Sequence, residues 1–422
     1  MTSLLKTKIY NLYKNLMSKI PSKCQKYLSR GTLPKLFLLP IALAFVSFVI
    51  LLRPLIIIKF QKFKFPFGSY VSETELIRLQ VKSFNSESFR KKIIIFILPD
   101  NAKTNSFMDS LWRRNLFVFS GDFGWLVGEL SHKLKLIDLQ SRSSPIDFFG
   151  LLTTPNNPPI FSPNEIETGK KFLQLACQDR KFICLNVRDG KFHGNLGEKE
   201  ARQSYRNSDI QNYVEAAETL GDMGYTVFRM GANVAEPLVS SHPRLIDYAT
   251  NGMRTEFLDV FLGANCFFCI STGSGWDNIP TIFRRPVMYV NYLPIFGQAA
   301  LALPITIYPK LLVDPISHNT LSFEEQRARN ISSSYKSAAF ADAGVKIRDL
   351  SSEELVEAVT EMAQRVEGTF VETPEQKEMQ AKLKHILSTH PKLQPSPNYY
   401  PIRAQFASCF LSRYPNFLDG LD

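Results

Sequence analysis

The chain has no acidic residue before Glu73, although Lys and Arg occur twelve times in that stretch. The other 38 basic residues nearly balance all 39 acidic ones, so the net charge of +11 belongs to one N-terminal segment. Those cations flank an apolar run. That layout suits an anionic membrane surface better than a nucleic-acid groove, and no nucleic-acid partner is expected. Cysteine is sparse and scattered, at Cys24, Cys177, Cys184, Cys266, Cys269 and Cys409. No disulfide framework is suggested, which fits a reducing cytosol. Cys266 and Cys269 form a C-x2-C inside an apolar strand with no second ligand pair nearby. They read as buried small side chains rather than a zinc or redox site. The chain has no H-E-x-x-H, no G-x-S-x-G, no D-x-D and no internal repeat. No metal site and no cofactor are expected.

The N-terminal segment, residues 1–53, is read as membrane-associating. Leu5, Ile9, Leu12, Leu16 and Ile20 stand at helical spacing among lysines, as an interfacial amphipathic helix or a solvated tail would place them. Leu36 to Leu52 is seventeen residues without a charge, interrupted by Pro40. Seventeen is the short limit for a spanning helix, and the run starts too late for a cleaved signal peptide. Both flanks are basic, so the positive-inside rule assigns no orientation. A spanning helix and a monotopic insertion both remain open.

Past this segment the pattern is strand, turn and helix in alternation, which predicts an α/β fold with parallel sheets. Leu55–Phe60, Lys92–Pro99, Asn115–Gly121 and Lys133–Leu139 are expected strands of a first domain, residues 54–155. A Pro- and Asn-rich linker, 156–164, leads to a helix at Glu165–Cys177 and a second domain, 165–390. A Pro-rich tail with a terminal helix, 391–422, closes the chain. Phe182–Val187, a strand ending in Arg229, Leu245–Ala249, Cys266–Ile270 and Val287–Val290 are the expected strands of the second domain. Phe323–Phe340, Ser351–Arg365 and Pro374–Leu387 are expected helices, the second capped by Ser351 or Ser352.

Polar residues and glycines gather where these strands end, and in parallel sheets that edge binds ligands. Ser271-Thr272-Gly273-Ser274-Gly275 follows a buried strand and precedes a helical segment. Its backbone amides and hydroxyls suit a phosphate; a turn that needs glycine for conformation is the plainer reading. No Lys follows, so it is not a Walker loop, nor is it G-x-G-x-x-G. Arg188, Arg206 and Arg229 lie at strand or helix ends, and their guanidinium forks suit phosphate or carboxylate. In Tyr205-Arg-Asn-Ser-Asp-Ile210, Asn207 or Ser208 can cap a helix, with Asp209 in its first turn. Asn291 ends another strand. Two pairs of Glu stand eight apart, Glu353 with Glu361 and Glu367 with Glu375, and read as solvated helix faces. His193 follows Arg188 in a glycine-flanked loop, and His242 reads as structural.

Asn186-Val-Arg-Asp189, Tyr205 to Ile210, Phe228-Arg-Met-Gly231, Ile246-Asp-Tyr248 and Val290-Asn-Tyr-Leu-Pro294, in this order, resemble a family of glycosyltransferases found among bacterial surface-polysaccharide genes. The likeness covers roughly residues 50–370 and is strongest from 182 to 294. It implies two Rossmann-like domains in a GT-B arrangement facing a cleft, residues 54–155 binding acceptor and 165–390 binding donor. By that likeness Arg188, Arg229 and Ser271 to Gly275 hold a nucleotide-sugar, the donor substrate. The family often carries Gly-His early in its first domain, whereas this chain has Gly68-Ser69, so that residue cannot be a base. Asp100, Glu73 and Asp122 are the candidates for deprotonating an acceptor hydroxyl. The expectation is a metal-independent, inverting glycosyltransferase at the cytoplasmic face of a bacterial inner membrane, using a lipid-linked or growing glycan acceptor. The alternatives are a nucleotide-sugar epimerase or hydrolase of the same fold, and a non-catalytic glycan-assembly partner.

Overall fold

The structure, a computed structural model, describes residues 32–98, 104–134, 136, 147, 150–153, 158–178, 180–191, 202–294, 303–389 and 403–420. In chain order it begins with α1 (Thr32–Leu51), β1 (Ile57–Lys62), α2 (Phe67–Glu87), β2 (Lys92–Ile97), α3 (Ser106–Asn115), β3 (Phe117–Phe119) and α4 (Gly121–Lys133). Next come α5 (Pro163–Cys177), β4 (Phe182–Asn186), α6 (Val214–Asp222), β5 (Thr226–Arg229), β6 (Leu245–Ile246), α7 (Glu256–Asn265), β7 (Phe268–Ser271) and α8 (Asn278–Ile282). Then follow β8 (Val287–Tyr292), β9 (Thr306–Pro309), β10 (Leu311–Val313), α9 (Phe323–Ala328), α10 (Ser337–Asp342) and β11 (Lys346–Arg348). The chain closes with α11 (Ser352–Glu367), α12 (Pro374–Thr389), β12 (Gln405–Phe406) and α13 (Ser408–Arg413).

The chain divides into two compact units, and the division is interleaved rather than linear. The first unit takes Met1–Phe63, Phe84–Ala102 and Leu116–Leu139; the second takes Lys64–Ser83, Lys103–Asn115 and Gln140–Asp422. The segments 64–83 and 103–115 lie inside the expected first domain, yet their polar groups are satisfied in the second unit. Glu75 pairs with Arg284 at 3.1 Å, and the Asn105 amide donates to the Glu256 carbonyl at 2.9 Å. Buried charges need such partners, so the chain crosses over to supply them.

In the first unit β1, β2 and β3 form a parallel sheet in that order. Ile94 to Ile97 are all buried, as a continuous apolar run predicts. α1 lays Ala42, Val46 and Val49 against a core that includes Phe60, Leu126 and Val127. α2, most of which belongs to the second unit, was not foreseen. Its interior buries Glu73 and Glu75 among apolar residues, which erases the helical polarity pattern. Lys133, expected to start a strand, ends α4 instead.

In the second unit seven strands form one sheet of order β12-β9-β8-β7-β4-β5-β6, every neighbour parallel. That is a doubly wound order, extended by one strand at the β12 edge. β4, β5, β7 and β8 are buried along their whole length. Cys184, Cys266 and Cys269 fill the core between them. α5 and α11 start at Ser162 and Ser351 with full capping boxes. The region 323–340 holds two short helices, not one. The C-terminal segment is part of the sheet rather than an appended tail: β12 pairs with β9, and α13 follows it. Among the described residues no helix is long and apolar enough to cross a membrane.

Candidate functional site

Parallel strands present their carboxyl ends at one edge, and in this sheet the order reverses between β4 and β7. A crevice forms at such a switch point. Asn186, the last residue of β4, stands in register with Ser271, the last of β7. Asn186 Nδ2 donates to Ser271 Oγ at 3.3 Å and to Ser274 Oγ at 2.7 Å. The Arg188 N–H donates to Thr272 Oγ1 at 2.9 Å, and the Thr272 N–H to the Asn186 carbonyl at 3.1 Å. Side chains therefore lace the two strand ends together.

Asp277 organises the loop between Ser271 and Gly275. Its Oδ2 accepts from Ser271 Oγ at 2.8 Å and from the Ser274 N–H at 2.6 Å. The Gly273 N–H donates to Ser271 Oγ and the Trp276 N–H to Ser274 Oγ, each at 3.1 Å. These amides are spent inside the loop, and α8 beyond it has only five residues and so a weak dipole. The loop thus turns these amides inward, where an amide cradle was anticipated from sequence, and of its hydroxyl residues only Ser274 is not fully buried. Asp277 is 3% exposed. Burial pushes its carboxyl up to about 6, against the hydrogen bonds from Ser274 and Ser271 and the charge of Arg206. Gly273 sits at φ +85°, and a Cβ there would lie 2.4 Å from the Tyr292 ring. Only glycine fits that position.

Cations border the loop. Arg206 donates to the Gly273 carbonyl and, at 3.3 Å, to Gln203 Oε1; no carboxylate pairs with it among the described residues. Arg188 donates to the Gln203 carbonyl at 3.2 Å and to Asn207 Oδ1. Lys310 follows β9 and is 4% exposed. Its Nζ donates to the Asn207 carbonyl at 2.6 Å and to Asp349 Oδ1 at 2.5 Å, leaving one N–H of three. Burial lowers the Lys310 pKa, and Asp349 opposes that shift. Ser208 Oγ donates to the other Asp349 oxygen at 2.9 Å. Lys310, Asp349, Asn207, Tyr205 and Ser204 line an open cavity of about 270 Å³. The Tyr205 hydroxyl is buried with no hydrogen-bond partner among the described residues. An arrangement of two guanidiniums, an ammonium and several hydroxyls suits a polyanion with a hydroxylated or aromatic appendage.

The structure thus gathers Arg188, Arg206, Ser271, Thr272, Gly273, Ser274 and Gly275 at one switch point. Arg229 and Asn291 are placed differently, both at 0% exposure. The Arg229 guanidinium donates to Asp247 Oδ1 at 3.1 Å and to the Glu236 carbonyl at 3.0 Å, bracing the connection after β5. Asn291, at φ +50°, joins Tyr213 at 2.8 Å to the Leu350 N–H at 2.7 Å. Asp209 is itself the cap of its turn, accepting from the Gln211 N–H at 2.9 Å, while Ser208 serves Asp349 instead.

Of the candidate bases, Asp100 lies outside the described residues, as does His193. Glu73 is buried in α2 and paired with Lys64 at 2.8 Å. Asp122 is half-buried in the first turn of α4. Gly68, where the resemblance places its Gly-His, touches the loop: a Cβ on Gly68 would lie 3.1 Å from Gly275 Cα. Ser69 therefore stands one residue from the edge. His242 is structural, its ring bonded to Asp222 at 3.2 Å and to the Arg244 N–H at 3.2 Å. Glu353 and Glu367 are exposed, as a solvated face requires, and pair with Arg413 and Lys181. Glu361 is not on a solvated face: it is buried and accepts from the Ser408 and Cys409 N–H groups, both at 2.8 Å.

Lys310, Asp349 and Asp277 escaped the sequence reading. Lys310 did leave a signal, as a lone charge in Ile307-Tyr-Pro-Lys-Leu-Leu312, since a cation inside a buried run needs a reason.

Fold and edge define a doubly wound α/β unit with a cationic, hydroxyl-lined crevice at its switch point. No protein-family model matches the chain, and no curated protein matches it. Among solved structures it is similar to E. coli ADP-heptose lipopolysaccharide heptosyltransferase II, at 13% identity over 57% of this chain and 89% of that one, TM-score 0.33. It is similar also to the glycosyl transferase family 9 protein of Veillonella parvula, at 9% identity over 73% and 96%, TM-score 0.37. The S. aureus MnaA–UDP structure is a further neighbour, at 10% identity over 75% and 98%, TM-score 0.25.

Proposed function

We propose that the chain is a metal-independent, inverting glycosyltransferase. It moves a sugar from a nucleotide-sugar to a lipid-linked or growing surface-glycan acceptor at the cytoplasmic face of a bacterial inner membrane. The observation that carries this reading is the meeting of Asn186, Arg188, Arg206 and the Ser271–Gly275 loop at the switch point, with Lys310 beside them. The order of the sequence motifs supports it. In this reading Arg188, Arg206 and Lys310 hold the diphosphate and stabilise its charge as it leaves, the task a metal performs where carboxylates hold one. Hydroxyls of Thr272 and Ser274 add donors, while that of Ser271 is committed to Asp277. Asp100, Glu73 or Asp122 takes the proton of the acceptor hydroxyl. Arg229 and Asn291 keep the edge in shape.

The test is binding followed by product analysis. A nucleoside diphosphate (UDP, GDP or ADP) should raise the melting temperature by mass action, and the best of the three names the base. A matching nucleotide-sugar should then be consumed only with acceptor. An epimer or free sugar formed without acceptor supports the epimerase or hydrolase alternative. No binding across the panel overturns the proposal.

A further inference from the structure

From Phe37 on, α1 is apolar except for Ser47, and among the described residues only one side of it is covered. Ala42, Val46 and Val49, at spacings of four and three, are 0%, 2% and 1% exposed against the first unit's core. On the opposite side Phe37, Ile41, Phe48 and Leu51 are 72%, 57%, 55% and 76% exposed, and Ala44 is exposed between them. Residues 37, 44 and 51 fall on one line, since seven residues make about two turns. Leu43, Ile50 and Leu55 widen the strip to seven large apolar side chains within residues 37–55. Single exposed hydrophobics are ordinary, whereas a contiguous strip marks contact with an apolar phase.

Charge narrows the choice of that phase. Lys35 precedes the strip, Arg53 follows it, and no carboxylate occurs in the chain before Glu73. A second copy of α1 would bring like charges together, while anionic headgroups would neutralise them. Length and packing narrow its orientation. The uncharged run Leu36–Leu52 is about 25 Å long as a helix, below the roughly 30 Å of a hydrocarbon core. The covered side is held by α4, which carries Asp122 and the Lys62-paired Glu129. Drawing α1 through the bilayer would drag those charges towards hydrocarbon.

We propose that α1 lies in the plane of an anionic lipid surface. The line Phe37–Ala44–Leu51 faces the acyl boundary, and the line Ala42–Val46–Val49 stays docked on the first unit. This rests on the membrane association proposed above and is independent of the sugar chemistry.

The test uses the full chain. Wild type should float with phosphatidylcholine vesicles that contain phosphatidylglycerol and much less with phosphatidylcholine alone. Phe37→Glu with Phe48→Glu should lower that binding about tenfold or more. These side chains are exposed, so the melting temperature should hold. Tryptophans placed singly as Phe37→Trp, Ala44→Trp and Leu51→Trp should add fluorescence quenched at one shallow depth by brominated lipids. Absence of flotation overturns membrane association and the in-plane seat together, and leaves donor binding untouched. A deep Ala44→Trp between shallow neighbours overturns only the in-plane seat, in favour of a span. Unchanged vesicle binding by the double glutamate variant, with loss of self-association in sedimentation, assigns the strip to a second copy and overturns the proposal.

Discussion

Asn186 and Ser274 face each other across the switch point, 2.7 Å from amide nitrogen to hydroxyl oxygen. One belongs to the end of β4 and the other to the loop after β7, 88 residues later. The same amide reaches Ser271, so one side chain ties the end of β4 to two hydroxyls at and beyond the end of β7. Asn186→Ala should lower unfolding free energy by about 1–2 kcal/mol, the net worth of two such bonds. It should weaken nucleoside diphosphate binding by more than that loss of stability accounts for. Chemical denaturation and calorimetry on one preparation check both.

Lys310 pairs with Asp349 and, in the proposed function, also holds the diphosphate; a double variant separates the two. Lys310→Met leaves Asp349 without its cation and should cost about 1–3 kcal/mol, since the carboxylate keeps some solvent. Adding Asp349→Asn should restore most of that stability. Diphosphate affinity should stay at least about tenfold reduced in both, because the ammonium is gone in both. Recovery of affinity in the double variant would reduce Lys310 to a structural ion.

Asp277 makes the loop pH-dependent. Its folded pKa, near 6, stands above the ordinary 3.8, so the folded state disfavours the ionised carboxylate. The unfolded chain releases the proton first as pH rises. Stability should therefore fall between about pH 4 and pH 6, by on the order of 3 kcal/mol, and level off above. Asp277→Asn should abolish that slope. Urea melts at several pH values compare the two proteins.

Arg229 and Arg206 should behave as opposites. Arg229→Ala strands Asp247 beside a fully buried cavity and should cost about 3–5 kcal/mol, with any loss of binding following from unfolding. Arg206→Ala should leave the melting temperature within a few degrees, since its partners are neutral oxygens and no carboxylate is stranded among the described residues. Diphosphate binding should still drop by about tenfold. Thermal melts beside titrations of a nucleoside diphosphate tell the two patterns apart.

Much of the second unit was legible because its strands are buried on both faces. Such strands read as unbroken apolar runs: β4 and β8 begin where the runs from Phe182 and Val287 begin, and β7 begins at Phe268 within the run from Cys266. The start of α11 was legible from its cap at Ser351, whereas α5 starts at its cap Ser162, ahead of Glu165 where the sequence reading began it. Elements whose pattern tertiary contacts override were hidden. Glu75 sits at 0% exposure because Arg78 and Arg284 reach it, and no local rule announces a partner some two hundred residues away. β12 is two residues long and exists because β9 offers it an edge.

The sequence by itself determined the α/β class, the one-sided charge of the N-terminal segment and the clustering of Ser, Gly and Arg at strand ends. Each is a property of composition or period, carried by neighbours in the chain. Only the tertiary structure decided which strand-end residues meet. Strand order set β4 beside β7, which brought Asn186 and Arg188 to the serine loop, and the antiparallel pairing of β10 with β11 brought Lys310 to Asp349, while Arg229 and Asn291 were turned inward as braces. Burial and long-range hydrogen bonding make that distinction, and neither is a property of the residue alone.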